Sequence, residues 1–238
     1  MTFSQRIDGA DGRLLLLCDH ASNHVPPEID LGVPAAALDR HIAFDIGAAA
    51  VTRELAHRLS CPALLAGVSR LVVDCNRPPA EAVPAASDGL PIPGNHALAG
   101  HLLAARHALH QRYHRQIEAL IESGRPQLLV AVHSFTPALA SQPSPRPWPV
   151  ALLWNEDFRA AKLGLAALRL ETGLPGPVGA NEPYSGKVLN YTMNRHAEAN
   201  GIPYLGFEIR QDLLTTASGQ RQYAAILARA IGRVLEQL

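Results

Sequence analysis

The sequence predicts an α/β protein with a mostly parallel sheet, and two observations support this fold class. Short, continuous apolar runs of strand length alternate along the chain with longer segments whose apolar residues recur at the helical period. Strands interleaved with helices are typical of parallel sheets, because successive parallel strands need a crossover of about helical size. The 238 residues show no internal repeat, low-complexity segment or linker, so we expect one domain over residues 1–238.

In the first half of the chain, local signals place each element. Short apolar runs predict three strands, at residues 13–18, 62–66 and 71–73. A helix is predicted over 46–59, where Asp45 can act as the N-cap. A longer helix is predicted over 97–123, with most of its leucines on one face and Gly124 at its end. Between the last of these strands and this helix, residues 78–93 are rich in proline, alanine and glycine and predict a loop.

The second half of the chain continues the alternation. Apolar runs predict three more strands, at residues 128–132, 150–154 and 204–209. Helical periodicity predicts three helices, at residues 157–172, 191–200 and 217–238, the second of which is closed by Gly201. Loops are predicted over 136–147, which holds four prolines, and over 174–187. Binding and catalytic residues concentrate on such loops when a rigid sheet positions them.

The composition excludes several classes of function. Charged residues are 18% of the chain and the formal net charge is zero, so we expect neither a nucleic-acid partner nor a membrane-surface partner. No apolar run approaches the roughly 20 residues of a membrane span, and the first residues lack a signal-peptide core, which indicates a cytoplasmic protein. Cys18, Cys61 and Cys75 have no C-x-x-C spacing and are expected to be reduced, buried thiols.

Residues that can carry chemistry follow three of the predicted strands. His20 comes shortly after the first apolar run, His133 follows the run at 128–132, and Glu208 lies near the end of the last strand. Because ligands bind beyond the carboxyl ends of parallel strands, we expect these side chains at one edge of the sheet. Two imidazoles and a carboxylate base are components of a hydrolytic zinc site. A hydrogen-bonded structural histidine is the alternative for either ring taken alone.

A catalytic zinc site needs a third ligand, and Asp45 is the preferred candidate because its carboxylate supplies an oxygen donor. The alternative role of Asp45 is a plain N-cap of the following helix. Asn23 and His24 stay open as other third ligands. The neutral amide of Asn23 is a poorer zinc ligand than a carboxylate.

The segment 69–78 contains a candidate substrate-binding element. Arg77 can direct two N–H donors at a carboxylate, and Asn76 can add a third. Asp74 could orient a metal-bound histidine from its far side. The alternative is a surface turn with a solvated arginine.

Glu208 and Arg210 are two residues apart on one predicted strand and therefore point to the same face. Glu208 is the candidate general base, which takes a proton from water and passes it to the leaving nitrogen. An ion pair on an edge strand is the alternative. His110 and His114 have i, i+4 spacing on the long helix but lack the glutamate of the zincin pattern, so we expect a solvated or interfacial helix flank there.

Taken together, these segments resemble the N-formylglutamate amidohydrolase family. The matching stretches, spread over residues 14–214, are Asp19-His20-Ala21-Ser22-Asn23-His24-Val25-Pro26, Asp45, Ser69-Arg70, Asp74-Cys75-Asn76-Arg77-Pro78, Tyr113-His114, His133-Ser134, Asn181-Glu182-Pro183-Tyr184-Ser185-Gly186 and Glu208-Ile209-Arg210. The family's first motif more often reads Pro-His-Ser-Gly. Carboxypeptidases, which are similar in fold, place a glutamate where this chain has Asn23, and this difference is why Asp45 is the preferred third ligand.

The resemblance implies a three-layer α/β/α sandwich with a mixed sheet, as in zinc carboxypeptidases and aspartoacylase-like deacylases (a phosphorylase/hydrolase-like fold). It implies that His20 and His133 are zinc ligands, that Glu208 is the base and that Arg70 contacts the substrate or the oxyanion. It also implies that the 74–77 element holds the substrate carboxylate through its Asn and Arg, while its Asp supports a metal-bound histidine.

The sequence therefore predicts a zinc-dependent amidohydrolase acting on a small N-acyl amino acid, with N-formylglutamate as the candidate substrate and glutamate and formate as products. The predicted substrate-binding residues are Asn76, Arg77, Tyr184 and Arg210. Zinc suits the histidine and carboxylate donors, although manganese, iron or cobalt would suit similar ones. The alternatives are a carboxypeptidase-like peptidase or other deacylase, and a non-catalytic carboxylate-binding protein with the same fold.

Overall fold

The computed structural model describes residues 3–139 and 143–238 and is built around a seven-stranded sheet. The strands are β1 Ser4–Ile7, β2 Leu14–Cys18, β3 Ala63–Ala66, β4 Ala86–Ser87, β5 Leu90–Pro91, β6 Leu128–Phe135, β7 Val150–Leu153, β8 Val178–Ala180 and β9 Tyr204–Arg210. The helices are α1 Ala48–Leu59, α2 Gly100–Gly124, α3 Arg159–Arg169, α4 Tyr191–His196 and α5 Ala217–Leu235. β4 and β5 form a separate two-stranded hairpin.

The main sheet has the order β1-β3-β2-β6-β9-β7-β8 and is mixed but mostly parallel. β3, β2, β6 and β9 are neighbours in one parallel block, and β8 runs parallel to β7. Within this sheet, only β1 on β3 and β7 on β9 pair antiparallel among the described strands. The predicted mostly parallel sheet is confirmed, and its central parallel block brings the carboxyl ends of β2, β6 and β9 to one edge.

Helices cover both faces of the sheet, because alternate residues of each buried strand face opposite sides. On β2, Leu14 and Leu16 pack into the core that includes α1, α3 and α5, whereas Leu15 and Leu17 pack into the core that includes α2 and α4. β6 shows the same alternation. Every residue of β2 and of β6 is buried, so their continuous apolar runs reflect two covered faces. The expected three-layer α/β/α sandwich is confirmed.

One predicted strand is wrong: residues 71–73 form a turn and loop. The amides of Val72 and Val73 both donate to the carbonyl of Ser69, which closes the turn. The apolar side chains here fill a third, smaller core beneath the loops, together with Leu31 and Ile92. Their hydrophobicity therefore reflects burial in that core, and a three-residue run could not distinguish burial from strand pairing.

Other elements differ in their limits. β1 was not predicted, β8 lies inside the predicted loop 174–187, and the β4–β5 hairpin lies inside the predicted loop 78–93. The predicted helix at 191–200 is divided into α4 and a 3₁₀ turn at Glu198–Asn200. Of the predicted loop 136–147, residues 140–142 lie outside the described residues. No described helix is long and apolar enough to cross a membrane.

Candidate metal centre and substrate cavity

The parallel block places the predicted metal ligands together. His20 lies two residues beyond the end of β2, and His133 lies within β6, whose first half pairs with β2. Asp45 lies ahead of α1 and is tied to the first loop by the hydrogen bond from its amide to the carbonyl of His20, at 2.9 Å. Asp45 does not cap α1, whose N-cap is Gly47 with no side-chain hydrogen bond. Its carboxylate is therefore available to the cluster.

His20, Asp45 and His133 form a buried group that could hold a metal ion, since one ligand atom from each lies within 4.8 Å of the others. Oδ2 of Asp45 is 3.3 Å from Nδ1 of His20 and 2.8 Å from Nδ1 of His133. Of the three candidate third ligands, the structure groups only Asp45 with the two rings. The side-chain amide of Asn23 instead donates to the carbonyl of Leu38.

Each imidazole has a second carboxylate at its other ring nitrogen. Nε2 of His20 is 2.7 Å from Oδ1 of Asp74, and Nε2 of His133 is 3.3 Å from Oδ2 of Asp19. Such outer carboxylates fix the orientation and tautomer of metal-binding histidines. Asp74 lies where it was predicted from the sequence, whereas Asp19, whose side chain is fully buried, was not predicted.

The electrostatics of the group suit a cation. Burial alone would raise the pKa of Asp45, but the imidazoles of His20 and His133 outweigh it and hold that pKa far below its usual range. Conversely, burial would lower the pKa of His133, yet the carboxylates of Asp19 and Asp45 raise it well above its ordinary value. The carboxylates therefore favour positive charge among them, either as protons on the rings or as a bound cation.

Arg70 lies beside this group and is mostly engaged. Its Nε and Nη2 both donate to Oδ2 of Asp74, at 3.1 and 2.7 Å, and these two charge-assisted hydrogen bonds orient the guanidinium. Nη1 is 3.5 Å from Oδ1 of Asp45. Arg70 also lines the cavity beside the metal group, and Nη1 is the guanidinium nitrogen with only a long contact to a carboxylate.

Glu208 faces the same cavity from β9. It pairs in register with His133 on the neighbouring strand, and its Oε2 has no hydrogen-bond partner in the described part of the chain. Burial raises the pKa of Glu208 to about 7. A buried carboxyl group with a free oxygen and a near-neutral pKa can accept a proton at neutral pH and give it back.

The cavity has a volume of about 300 Å³ and lies directly over the cluster. Asn76 and Arg77 line it from the loop after the 69–73 turn, and Tyr184 lines it from the loop after β8. The carbonyl oxygen of the Asn76 side chain accepts from the amide of Thr192, so its NH₂ group remains as a donor. The hydroxyl of Tyr184 accepts a hydrogen bond from Nη1 of Arg146 at 2.9 Å.

Arg210 lies elsewhere. Its Nε donates to Asp212 and its Nη1 donates to the carbonyl of Arg146, and Arg210 is not among the residues that line the cavity. The strand periodicity alone could not show this, because Arg210 is the last residue of β9 and its long side chain turns to the following segment. The geometry therefore does not support its predicted role in substrate binding.

Buried histidines of α2 hold the loop that carries Asn76 and Arg77 through hydrogen bonds to its backbone. His114 Nε2 lies 3.0 Å from the carbonyl of Cys75, and His110 Nε2 lies 2.9 Å from the carbonyl of Arg77. Nδ1 of His114 is 2.7 Å from Nε2 of His196 on α4. Of the two predicted settings for His110 and His114, solvated or interfacial, the interfacial one is confirmed, because both are buried where α2 meets the loop and α4.

Comparison with known proteins supports the same family as the motifs. A model of the N-formylglutamate amidohydrolase family matches residues 12–215. Among curated protein sequences, none matches this chain.

Solved structures give a consistent result. A gene product of Agrobacterium tumefaciens is 31% identical with a TM-score of 0.91, over 98% of this chain and 95% of that one. The N-formylglutamate amidohydrolase of Ralstonia eutropha is 20% identical with a TM-score of 0.73, over 99% of each chain. An N-acetylmuramoyl-L-alanine amidase of Clostridium difficile is 8% identical with a TM-score of 0.50, over 95% of this chain and 98% of that one, and shares the fold alone.

Proposed function

Because the chain belongs to the N-formylglutamate amidohydrolase family, whose members are hydrolases of amide bonds, we propose that it is a zinc-dependent enzyme that removes the acyl group from a small N-acyl amino acid. The observation that carries the proposal is the buried group His20, Asp45 and His133, with Glu208 facing the same cavity. Two nitrogen donors and one oxygen donor are a common protein ligand set of catalytic zinc.

The residues present fit the metal. Each ring directs Nδ1 at Asp45 and Nε2 at an outer carboxylate, so both Nδ1 atoms are held in position to donate to one ion. Zinc bound there would act as a Lewis acid and lower the pKa of water.

Glu208 is the proposed general base and acid. Its free Oε2 takes a proton from the attacking water, and the same oxygen delivers that proton to the leaving amine nitrogen. The deprotonated water adds to the acyl carbon and forms the new C–O bond, and the amide C–N bond then breaks as the nitrogen takes up the proton, which yields the free carboxylic acid and the amino acid. A pKa of about 7 allows both directions of proton transfer near neutral pH.

Arginines and one amide bind the charged parts of the substrate. Arg70, held by Asp74, presents Nη1 to the negative charge that develops on the acyl oxygen. Arg77 and the NH₂ group of Asn76 bind the amino-acid carboxylate. The guanidinium of Arg77 has no side-chain partner within the described residues, which leaves its fork available for that carboxylate.

The test combines metal content with turnover. We expect about one zinc per chain in the wild type, its loss in a His20→Ala/His133→Ala variant, and release of free amine from N-formyl amino acids by the zinc-loaded protein. Glu208→Gln should keep the metal and lose about 100-fold or more of the activity. Glu122→Gln, at an exposed position on α2, is the matched control and should behave as the wild type.

The alternatives predict different results. Zinc retention with full activity in Glu208→Gln would refute the assigned base. A protein that takes up no zinc, yet binds carboxylates in the presence of a chelator, would be the non-catalytic binding protein. Faster release of C-terminal residues from peptides than of formate from formyl amino acids would favour the peptidase.

A further inference from the structure

The charges around the cavity point to a substrate class, and this inference rests on the proposed function. We infer that the preferred substrates carry a single carboxylate and an uncharged, largely apolar side chain, so that N-formylglutamate, which carries two carboxylates, is a poor substrate for this chain.

Few cationic side chains line the cavity. Apart from the two candidate metal ligands, the basic residues that line the cavity are Arg70, Arg77 and His41. Arg70 donates two hydrogen bonds to one carboxylate oxygen of Asp74 and is therefore already paired. Arg77 alone among the lining arginines has a guanidinium without an ionic partner in the described residues. One free guanidinium fits one carboxylate.

His41 does not supply a second anion site. Its Nε2 lies 3.3 Å from Oδ2 of Asp88, and both residues line the cavity. Burial lowers the pKa of His41, so at neutral pH its ring is uncharged and offers no cation to a carboxylate. A second substrate carboxylate would therefore lose its hydration at this wall without gaining a cation.

Two nearby arginines, Arg146 and Arg210, are not among the residues that line the cavity and are held by other groups. Nη1 of Arg146 donates to the carbonyl of Thr136 and to the hydroxyl of Tyr184, and its guanidinium lies over the Tyr184 ring at 4.9 Å. Arg210 is paired with Asp212.

The remaining wall suits an apolar side chain. Ile42, Phe135, Leu139 and Leu189 line the cavity together with the ring of Tyr184. Aliphatic and aromatic side chains gain binding energy by burial against such a wall, whereas a carboxylate there would be left without partners. The wall and the missing cation thus favour the same substrates, derivatives of residues such as methionine, leucine or glutamine over those of glutamate or aspartate.

The decisive experiment compares two nearly isosteric substrates. N-formyl-L-glutamine and N-formyl-L-glutamate differ only in the second charge, and kcat/KM is measured for both with the zinc-loaded wild type by release of free amine. We expect the glutamine derivative to be preferred by about tenfold or more. N-formyl-L-methionine should be at least as good as the glutamine derivative. A preference for N-formyl-L-glutamate over N-formyl-L-glutamine would overturn the inference.

The same inference can be tested by adding a positive charge to the wall of the cavity. Leu189→Arg places a guanidinium on the apolar wall, and the ratio of kcat/KM for the glutamate over the glutamine derivative should rise about tenfold. Val188→Arg is the matched control, because Val188 is 74% exposed and does not line the cavity. An unchanged ratio in Leu189→Arg, or an equal rise in Val188→Arg, would contradict the placement of the substrate side chain.

Failure of the proposed function gives a different result. If no formyl amino acid is hydrolysed, calorimetric binding of the same compounds to zinc-loaded protein still ranks them by charge. Tighter binding of the glutamine than of the glutamate derivative, without turnover, would refute the enzyme and support the inferred specificity. Tighter binding of the glutamate derivative would overturn the specificity alone.

Discussion

His114 provides a test of how the fold holds its substrate-binding loop. Carbonyl oxygens only accept, so Nε2–H of His114 donates to Cys75, and Nδ1 must accept from Nε2–H of His196. The His114 ring is therefore neutral, in agreement with a pKa that burial lowers to about 3, and burial also lowers the pKa of His196 to about 4. Replacing the ring by one without nitrogens removes both bonds at a fully buried position.

The magnitude follows from those two bonds. In His114→Phe, the buried Nε2–H of His196 loses its acceptor, which costs about 1–3 kcal/mol. The carbonyl of Cys75 keeps the hydroxyl of Thr192 at 3.3 Å but loses the shorter bond, for about 1 kcal/mol more. We expect the free energy of unfolding to fall by about 2–4 kcal/mol, measured by urea denaturation. Because Asn76 and Arg77 follow Cys75, KM should rise by about tenfold with a smaller change in kcat.

His114→Gln separates the anchoring of the loop from general stability. The glutamine amide can occupy the place of Nε2 and donate to the carbonyl of Cys75, so KM should return close to the wild-type value. KM of the wild type and of both variants is measured at equal zinc loading, and thermal unfolding of both variants measures the change in stability. Equal KM in the Phe and Gln variants, or wild-type stability in His114→Phe, would refute this account of the loop.

Three further predictions concern the site itself. Glu208 must be ionised to act as a base, so log(kcat/KM) should fall with a slope of about one as the pH drops below the pKa of Glu208, which is about 7 in the cation-free protein. A bound cation would lower this pKa and move the decrease to lower pH. A pH–rate profile of Glu208→Gln should lack the decrease. Arg77→Gln should raise KM about 10- to 100-fold through loss of a charge-assisted bidentate contact, and steady-state kinetics with unchanged KM would exclude Arg77 as the carboxylate site. Asp19→Asn should weaken zinc binding about 10- to 100-fold, measured by competition with a chelating dye at alkaline pH, where protons compete least; equal affinity would exclude Asp19 from orienting His133.

The sequence predicted the sheet well where strands are buried on both faces. The runs at 14–18 and 128–132 are continuous because helices cover both sides, and such runs are recognisable without knowledge of their partners. β1 is different, since two of its four residues are exposed and its pairing with β3 is a tertiary contact. The 71–73 run was misassigned because apolar residues under a loop have the same composition as a short buried strand.

The site residues that lie at strand ends could be predicted from the order of strands and helices along the sequence. His20, His133 and Glu208 follow from the rule that ligands bind at the carboxyl ends of parallel strands. Asp19 could have been found by extending the observed register, since Leu17 pairs with Ala131 and two residues further on Asp19 lies level with His133. Arg146 had no comparable signal, because its contacts with Tyr184 join two loops distant in sequence.

The charge balance of the cluster leads to a final prediction about the metal. In the cation-free protein, Asp19, Asp45 and Asp74 have lowered pKa values, while the pKa values of His20 and His133 are raised. Near pH 6, two imidazolium charges therefore lie among three carboxylates. A divalent ion bound to the two neutral rings replaces two protons and leaves the total buried charge unchanged, which is a physical reason for this site to select a charge of two.

Zinc binding at pH 6 should therefore release about two protons per ion from the rings. Glu208, with a pKa of about 7, is largely protonated at this pH and would add a further fraction in the wild type. The Glu208→Gln variant removes that contribution and isolates the two rings. Calorimetric titrations of this variant with zinc, in buffers of different ionisation enthalpy, count the protons. A value near zero would mean that the rings are already neutral without metal, and the charge-replacement argument would fail.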